Sequence, residues 1–217
     1  MQTRNIELWL MRHGEAESQE KDAKLSEQGR SMAIAAAANV FEQVRGHGGG
    51  WIKLLHSPTP RAAETFAIMH EELQRLSLSS NVYLFKNTRV STRIEAGGVI
   101  GPLMKRGIPY EETVEHWLAH PDSIPGRTPM DIAGRIGKLI DIIARLAKRI
   151  ALGPPIYYIA VTHEIPQAGF LYKITGKRLS QMGGGIRNCE SLVIKFSTGQ
   201  ITLEFRDQSI ELCDFSF

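Results

Sequence analysis

Leu8-Trp9-Leu10-Met11-Arg12-His13-Gly14-Glu15 decides how the rest of the chain is read. Four mostly apolar residues form a short strand pattern that ends abruptly in Arg-His-Gly. In open α/β sheets, ligands bind beyond the carboxyl ends of the strands, which is where these three residues fall. Arginine offers a planar fork that matches phosphate oxygens. A neutral imidazole can act as a nucleophile near pH 7. Glycine lets the backbone turn and come close to a ligand. A tripeptide this short also arises by chance, so its meaning depends on what other strand ends carry.

Two more strand ends repeat the theme. Trp51-Ile52-Lys53-Leu54-Leu55-His56 reads as a strand, followed by Ser57-Pro58-Thr59-Pro60-Arg61-Ala62-Ala63-Glu64-Thr65. A hydroxyl residue before proline starts a helix, because proline fits the first helical position. Ala62, Phe66, Met69, Leu73 and Leu76 continue it as an apolar stripe. Arg61 therefore lies in the first turn, where a helix N-terminus already favours anions. Ile156-Tyr157-Tyr158-Ile159-Ala160-Val161-Thr162 is almost wholly apolar, as a central strand covered on both faces must be, and it ends in His163-Glu164. Arg12, His13, Arg61 and His163 thus occupy equivalent places at three strand ends.

The intervening pattern is that of one α/β domain. Ser26 caps a helix running to about Arg45, with Gly29 near its start where close packing excludes a side chain. Val82 to Phe85 is a third strand. Lys86 to Pro109 is a long glycine-rich loop, and loops of that length inside a domain tend to carry function. A short helix spans Pro109 to His120, and the longest spans Met130 to Ile150, its Lys138, Arg145, Lys148 and Arg149 forming a solvated side. A further helix runs from about Pro166 to Thr175. Ser191 to Phe196 and Ile201 to Phe205 read as a closing hairpin. The expected architecture is a three-layer α/β/α sandwich, a single domain over residues 1–217, with a mostly parallel sheet and a C-terminal antiparallel hairpin.

Composition narrows the function. The chain has 217 residues, 42% hydrophobic and 23% charged, which suits a globular domain with a sizeable core. A formal net charge of +3 gives nucleic-acid binding little support. No stretch reaches the ~18 consecutive apolar residues of a membrane span, and the opening residues lack the apolar region of a signal peptide. Two distant cysteines, Cys189 and Cys213, argue against a disulfide framework or a zinc site. A cytoplasmic protein is expected, with no metal and no cofactor. His116 and His120 share a helix face at i, i+4, a spacing able to bind metal, but they lack an evident third ligand and are read as structural.

The motifs together resemble the histidine phosphatase superfamily, the phosphoglycerate-mutase-like clan, over most of the chain. Leu10-Met11-Arg12-His13-Gly14-Glu15 resembles its Arg-His-Gly signature, and Leu25-Ser26-Glu27-Gln28-Gly29 its Leu-Thr-x-x-Gly helix start. Ser57 to Thr65 is similar to its Ser-x-x-x-Arg-Ala-x-x-Thr motif. Gly126 to Arg135 is similar to its Gly-Glu-Ser stretch and the arginine beyond. Val161-Thr162-His163 resembles its second-histidine motif, and Asn188 fits as well. The resemblance implies phosphoryl transfer through a phosphohistidine: His13 as nucleophile, with Arg12, Arg61 and His163 binding the phosphoryl oxygens. Glu95, in Arg93-Ile94-Glu95-Ala96-Gly97-Gly98, resembles the general acid, although the usual Gly-x-Trp-x-Gly is here Gly98-Val99-Ile100-Gly101. Where many members have His-Gly, this chain has His163-Glu164, and another branch carries its acid directly after that histidine. Glu164 is therefore the alternative acid. The expected activity is metal-independent hydrolysis of a phosphorylated small molecule or a phosphoprotein. A mutase, or a phosphate- or phosphopeptide-binding module without turnover, are the alternatives.

Overall fold

A computed structural model of the chain describes residues 4–18, 20, 22–85, 89–90, 105, 107–123, 128–150, 152–197 and 200–212. Eight strands are β1 (Ile6–Arg12), β2 (Gly50–His56), β3 (Val82–Leu84), β4 (Arg89–Val90), β5 (Ile156–Thr162), β6 (Ser191–Ser197), β7 (Gln200–Phe205) and β8 (Gln208–Glu211). They join in one sheet ordered β3-β2-β5-β1-β6-β7-β8, with β4 also beside β2. β3, β4, β2, β5 and β1 run parallel. β6 pairs antiparallel with β1 and continues antiparallel through β7 and β8.

Among the described residues, five α-helices cover the sheet: α1 (Glu27–Gly46), α2 (Pro60–Ser77), α3 (Tyr110–Ala119), α4 (Pro129–Arg149) and α5 (Glu164–Thr175). Alternation along the central strands divides the core in two. Trp9, Met11, Tyr157, Ile159 and Val161 point to α1 and α2. Ile6, Leu8, Leu10, Ile156 and Ala160 point to α3, α4 and α5. Every residue of β5 is buried, as its apolar run requires. Trp117 is fully buried in the second cluster, a packing residue.

Local chemistry fixes the helix starts. Ser26 accepts from the Gly29 amide at 3.0 Å and donates to Glu15 Oε1 at 2.7 Å. A Cβ on Gly29 would stand 2.0 Å from the Glu15 carbonyl oxygen, so the site-bearing loop packs directly on this helix. Thr128 and Asp131 form a reciprocal capping box on α4.

One boundary is corrected and one strand is added. The last helix starts at Glu164, with His163 as its N-cap, not near Pro166. Proline fits this first turn, whose amides have no intrahelical partner. The closing β6–β7 hairpin forms as expected, and a turn at Arg206-Asp207 adds β8 along β7 as a third strand. That third strand is short and polar on its exposed face, which hides it from a search for apolar alternation. Most of the glycine-rich 86–109 loop, including Glu95, lies outside the described residues, as do Gly126 and Cys213.

Candidate active site

The sheet register builds the site. Arg12 pairs with Thr162 across β1 and β5, so His13 and His163 each stand one residue beyond the same rung. His56 pairs with Val161, and the Ser57 amide bonds the Val161 carbonyl at 2.9 Å, which brings β2 to that edge. α2 then begins at Pro60 and α5 at Glu164. Two helix N-termini, with their unpaired amides, open onto the strand ends.

His13 is 7% exposed. Its Nδ1 lies 2.6 Å from the Gly14 carbonyl oxygen. A carbonyl can only accept, so Nδ1 carries the proton and the neutral ring keeps its lone pair on Nε2. Gly14 is held in turn: its amide donates to Thr65 Oγ1 at 3.0 Å, and that hydroxyl donates to the Arg61 carbonyl at 2.8 Å. The His13 carbonyl accepts from Asn188 Nδ2 at 3.0 Å, and its amide donates to Thr162 at 2.9 Å. Burial pushes the His13 pKa down to about 3, with Arg61 and Arg12 adding to the fall and the Gly14 bond opposing it.

His163 is 3% exposed, its ring centroid 5.1 Å from that of His13. Its Nε2 lies 2.8 Å from Ser57 Oγ and 3.1 Å from Thr59 Oγ1. Burial holds its pKa well below the usual imidazole value, and His13, Arg61 and Arg12 depress it further. In the absence of an anion both imidazoles are therefore neutral beside two fixed guanidiniums.

Arg12 contacts Glu164 Oε2 at 2.9 Å and donates to the Ile186 carbonyl. Arg61 donates to the Glu20 carbonyl at 2.9 Å, which ties the loop after β1 to α2. Among the described residues, the Nε atoms of both arginines and His163 Nδ1 are buried with no hydrogen-bond partner. That is a concentration of unused hydrogen-bonding capacity in one place, suited to an oxyanion. Among the described residues there is no cluster of three or more His, Cys, Asp or Glu side chains able to hold a metal. His116 and His120 pack ring on ring, 4.5 Å apart, without further ligands from that set.

Arg12, His13, Arg61 and His163 are thus brought together as the strand ends foretold. Glu164 joins them, fully buried against Arg12. Glu95 lies outside the described residues. Ser57 and Thr59 lie in the motif stretch before Arg61, and Tyr110 carried no sequence signal of its own. Ser57 and Thr59 bond His163, and Tyr110, at the start of α3, places its ring 5.9 Å from the Arg12 guanidinium and bonds Glu164. Burial, with the Glu164 charge, raises the Tyr110 pKa and keeps the phenol protonated. Its position depends on a helix distant in sequence, which no local pattern reveals.

A polar, cationic cluster thus stands at the strand ends of a mixed α/β sheet. Residues 8–82 match the sequence profile of the histidine phosphatase superfamily (branch 1). A comparison with curated proteins finds no match. Among solved structures, a mycobacterial glucosyl-3-phosphoglycerate phosphatase is 20% identical, aligning over 90% of this chain and 92% of its own with a TM-score of 0.61. A phosphoglycerate mutase from Bacillus anthracis str. Sterne is 16% identical over 93% and 92%, also at 0.61. A phosphoserine phosphatase variant from Entamoeba histolytica, in complex with phosphoserine, is 15% identical over 92% and 95%, at 0.56. At these identities the likeness is one of fold, and it spans most of the chain. The profile match covers residues 8–82, and the likeness to solved structures covers the fold.

Proposed function

We propose that the protein is a phosphatase that hydrolyses phosphomonoesters through a phosphohistidine on His13, without a metal. The observation that carries this reading is the His13 ring. It is buried and neutral, its proton is committed to the Gly14 carbonyl, and its Nε2 lone pair is left beside two guanidiniums. Phosphoryl transfer asks mainly for in-line positioning and for positive charge around the equatorial oxygens. Arg12, Arg61 and His163 are the groups that would bind those oxygens. A bound dianion favours the charged imidazole, so His163 takes up a proton as phosphate enters.

In this reading Nε2 attacks phosphorus while the bond to the leaving oxygen breaks. The leaving oxygen takes a proton from Glu95. Water then attacks the phosphohistidine, returning its proton to Glu95 and releasing inorganic phosphate. The substrate is a phosphorylated small molecule or a phosphoprotein. The known phosphatases that share the fold support a phosphoester substrate, and the two distant cysteines support a reducing, cytoplasmic setting.

The test is hydrolysis of an aryl phosphate by wild type and His13→Ala with a chelator present. Expected results are turnover by wild type only, unaffected by chelator, and an acid-labile, alkali-stable phosphoryl label on wild type. Loss of activity to chelator rejects the metal-free mechanism. Transfer of the label to a second hydroxyl in preference to water indicates a mutase, and phosphate binding without turnover indicates a binding module.

A further inference from the structure

We propose that Glu164 is a positioning residue for Arg12, held by Tyr110 and the Ile186 backbone, and not the proton donor to the leaving group. The inference rests on the phosphate-pocket reading above and concerns the residue directly after His163.

Three contacts converge on this carboxylate. Oε2 meets Arg12 Nη1 at 2.9 Å. Oε1 accepts from the Ile186 amide at 3.0 Å. The Tyr110 phenol bonds it as well. The Ile186 carbonyl accepts from the same Arg12 nitrogen, so one residue of the 183–186 loop grips both members of the pair. The carboxylate side chain is 4% exposed, the arginine 15%. A Cβ on Gly185 would stand 2.8 Å from Oε1, so the loop backbone lies against the carboxylate.

A general acid must be protonated before the reaction and within reach of the leaving oxygen. A carboxyl paired with a guanidinium and accepting an amide hydrogen bond is held ionised instead, since both partners favour the charged form. A freely rotating arginine would lose side-chain entropy on binding phosphate. Clamped at Nη1 by Glu164 and Ile186, with its ring neighbour Tyr110 alongside, Arg12 presents its remaining nitrogens in one orientation before ligand arrives. The carboxylate also lowers the net charge of the site, which offsets repulsion between Arg12 and Arg61. The clamp reaches further: Arg206 donates to the Met182 carbonyl at 2.6 Å and the Gly185 carbonyl at 2.8 Å, which fixes the loop that carries Ile186.

The experiment is a double-mutant cycle on inorganic phosphate affinity, read by calorimetry, with Glu164→Gln, Arg12→Lys and the pair. Glu164→Gln is expected to weaken phosphate binding about tenfold, and to do so far less in the Arg12→Lys background, because it acts through Arg12. Equal losses in both backgrounds overturn the proposal. Turnover supplies the second arm, across aryl phosphates of graded leaving-group acidity. Glu164→Gln is expected to lower kcat/KM by one common factor, mostly through KM. A loss concentrated on poor leaving groups makes Glu164 the acid and overturns the proposal. If wild type binds no phosphate, the pocket reading fails first and takes this one with it. If wild type binds phosphate and the cycle is additive, only the positioning role fails.

Discussion

The hydroxyl of Thr65 is small, buried and distant in sequence from His13, yet it reaches the nucleophile through one residue, Gly14. It accepts from the Gly14 amide at 3.0 Å, and the carbonyl of Gly14 is what holds His13 Nδ1. Thr65 is fully buried. Thr65→Val keeps the shape and leaves the Gly14 amide without an acceptor. A buried donor left unsatisfied costs about 1–3 kcal/mol. For a chain of this size each kcal/mol moves Tm by about 2–4 °C, so a fall of roughly 2–12 °C is expected. Thr65→Ser is the control: it keeps the bond and removes one buried carbon, about 0.8 kcal/mol. A Gly14 backbone no longer anchored at its amide also loosens the carbonyl that holds the imidazole. Misplacement of a reacting group by about 1 Å costs on the order of a hundredfold in rate, so kcat/KM of Thr65→Val should fall at least several-fold while Thr65→Ser stays near wild type. Thermal unfolding and aryl phosphate hydrolysis on the three proteins check this. Equal Tm and equal kcat/KM for Thr65→Val and Thr65→Ser would falsify the chain of holding contacts.

Other perturbations probe different parts of the site. Glu95→Gln should slow substrates with poor leaving groups far more than those with good ones; if Glu164→Gln shows that pattern instead, the acid is Glu164. Gly29→Ala drives a Cβ to 2.0 Å from the Glu15 carbonyl and should destabilise by about 1–3 kcal/mol. Gly46→Ala, which meets nothing within 4 Å, should be neutral or stabilising by up to about 1 kcal/mol; denaturant midpoints separate the two. The folded pKa of His13 lies below its unfolded value, so the unfolded chain binds the extra proton and stability falls as pH drops from 6.5 toward about 3. His13→Asn should therefore lose less Tm than wild type over that window, and a parallel loss would remove His13 from the account. Phosphate binding at pH 7.5 should take up a proton at His163, measured by calorimetry in buffers of different ionisation enthalpy. No buffer dependence would mean that His163 does not charge.

What the sequence determined by itself was local and periodic. The apolar run of β5, the cap at Ser26 and the proline-started α2 are properties of a few adjacent residues, so their composition announces them. Strand ends followed at once, and with them the placement of Arg12, His13, Arg61 and His163. What only the tertiary structure decided was pairing across the sheet and between layers. The register of β1, β2 and β5 sets two imidazoles 5.1 Å apart. β8 exists because β7 offers it an edge, not because its own residues alternate. Glu164 reads in sequence as a carboxylate beside a histidine, equally fit to donate a proton. Its contacts with Arg12, Tyr110 and Ile186, which lie 152, 54 and 22 positions away by residue number, form only when the layers close. A side chain's charge state depends on burial and on partners, and both belong to the fold and not to the residue.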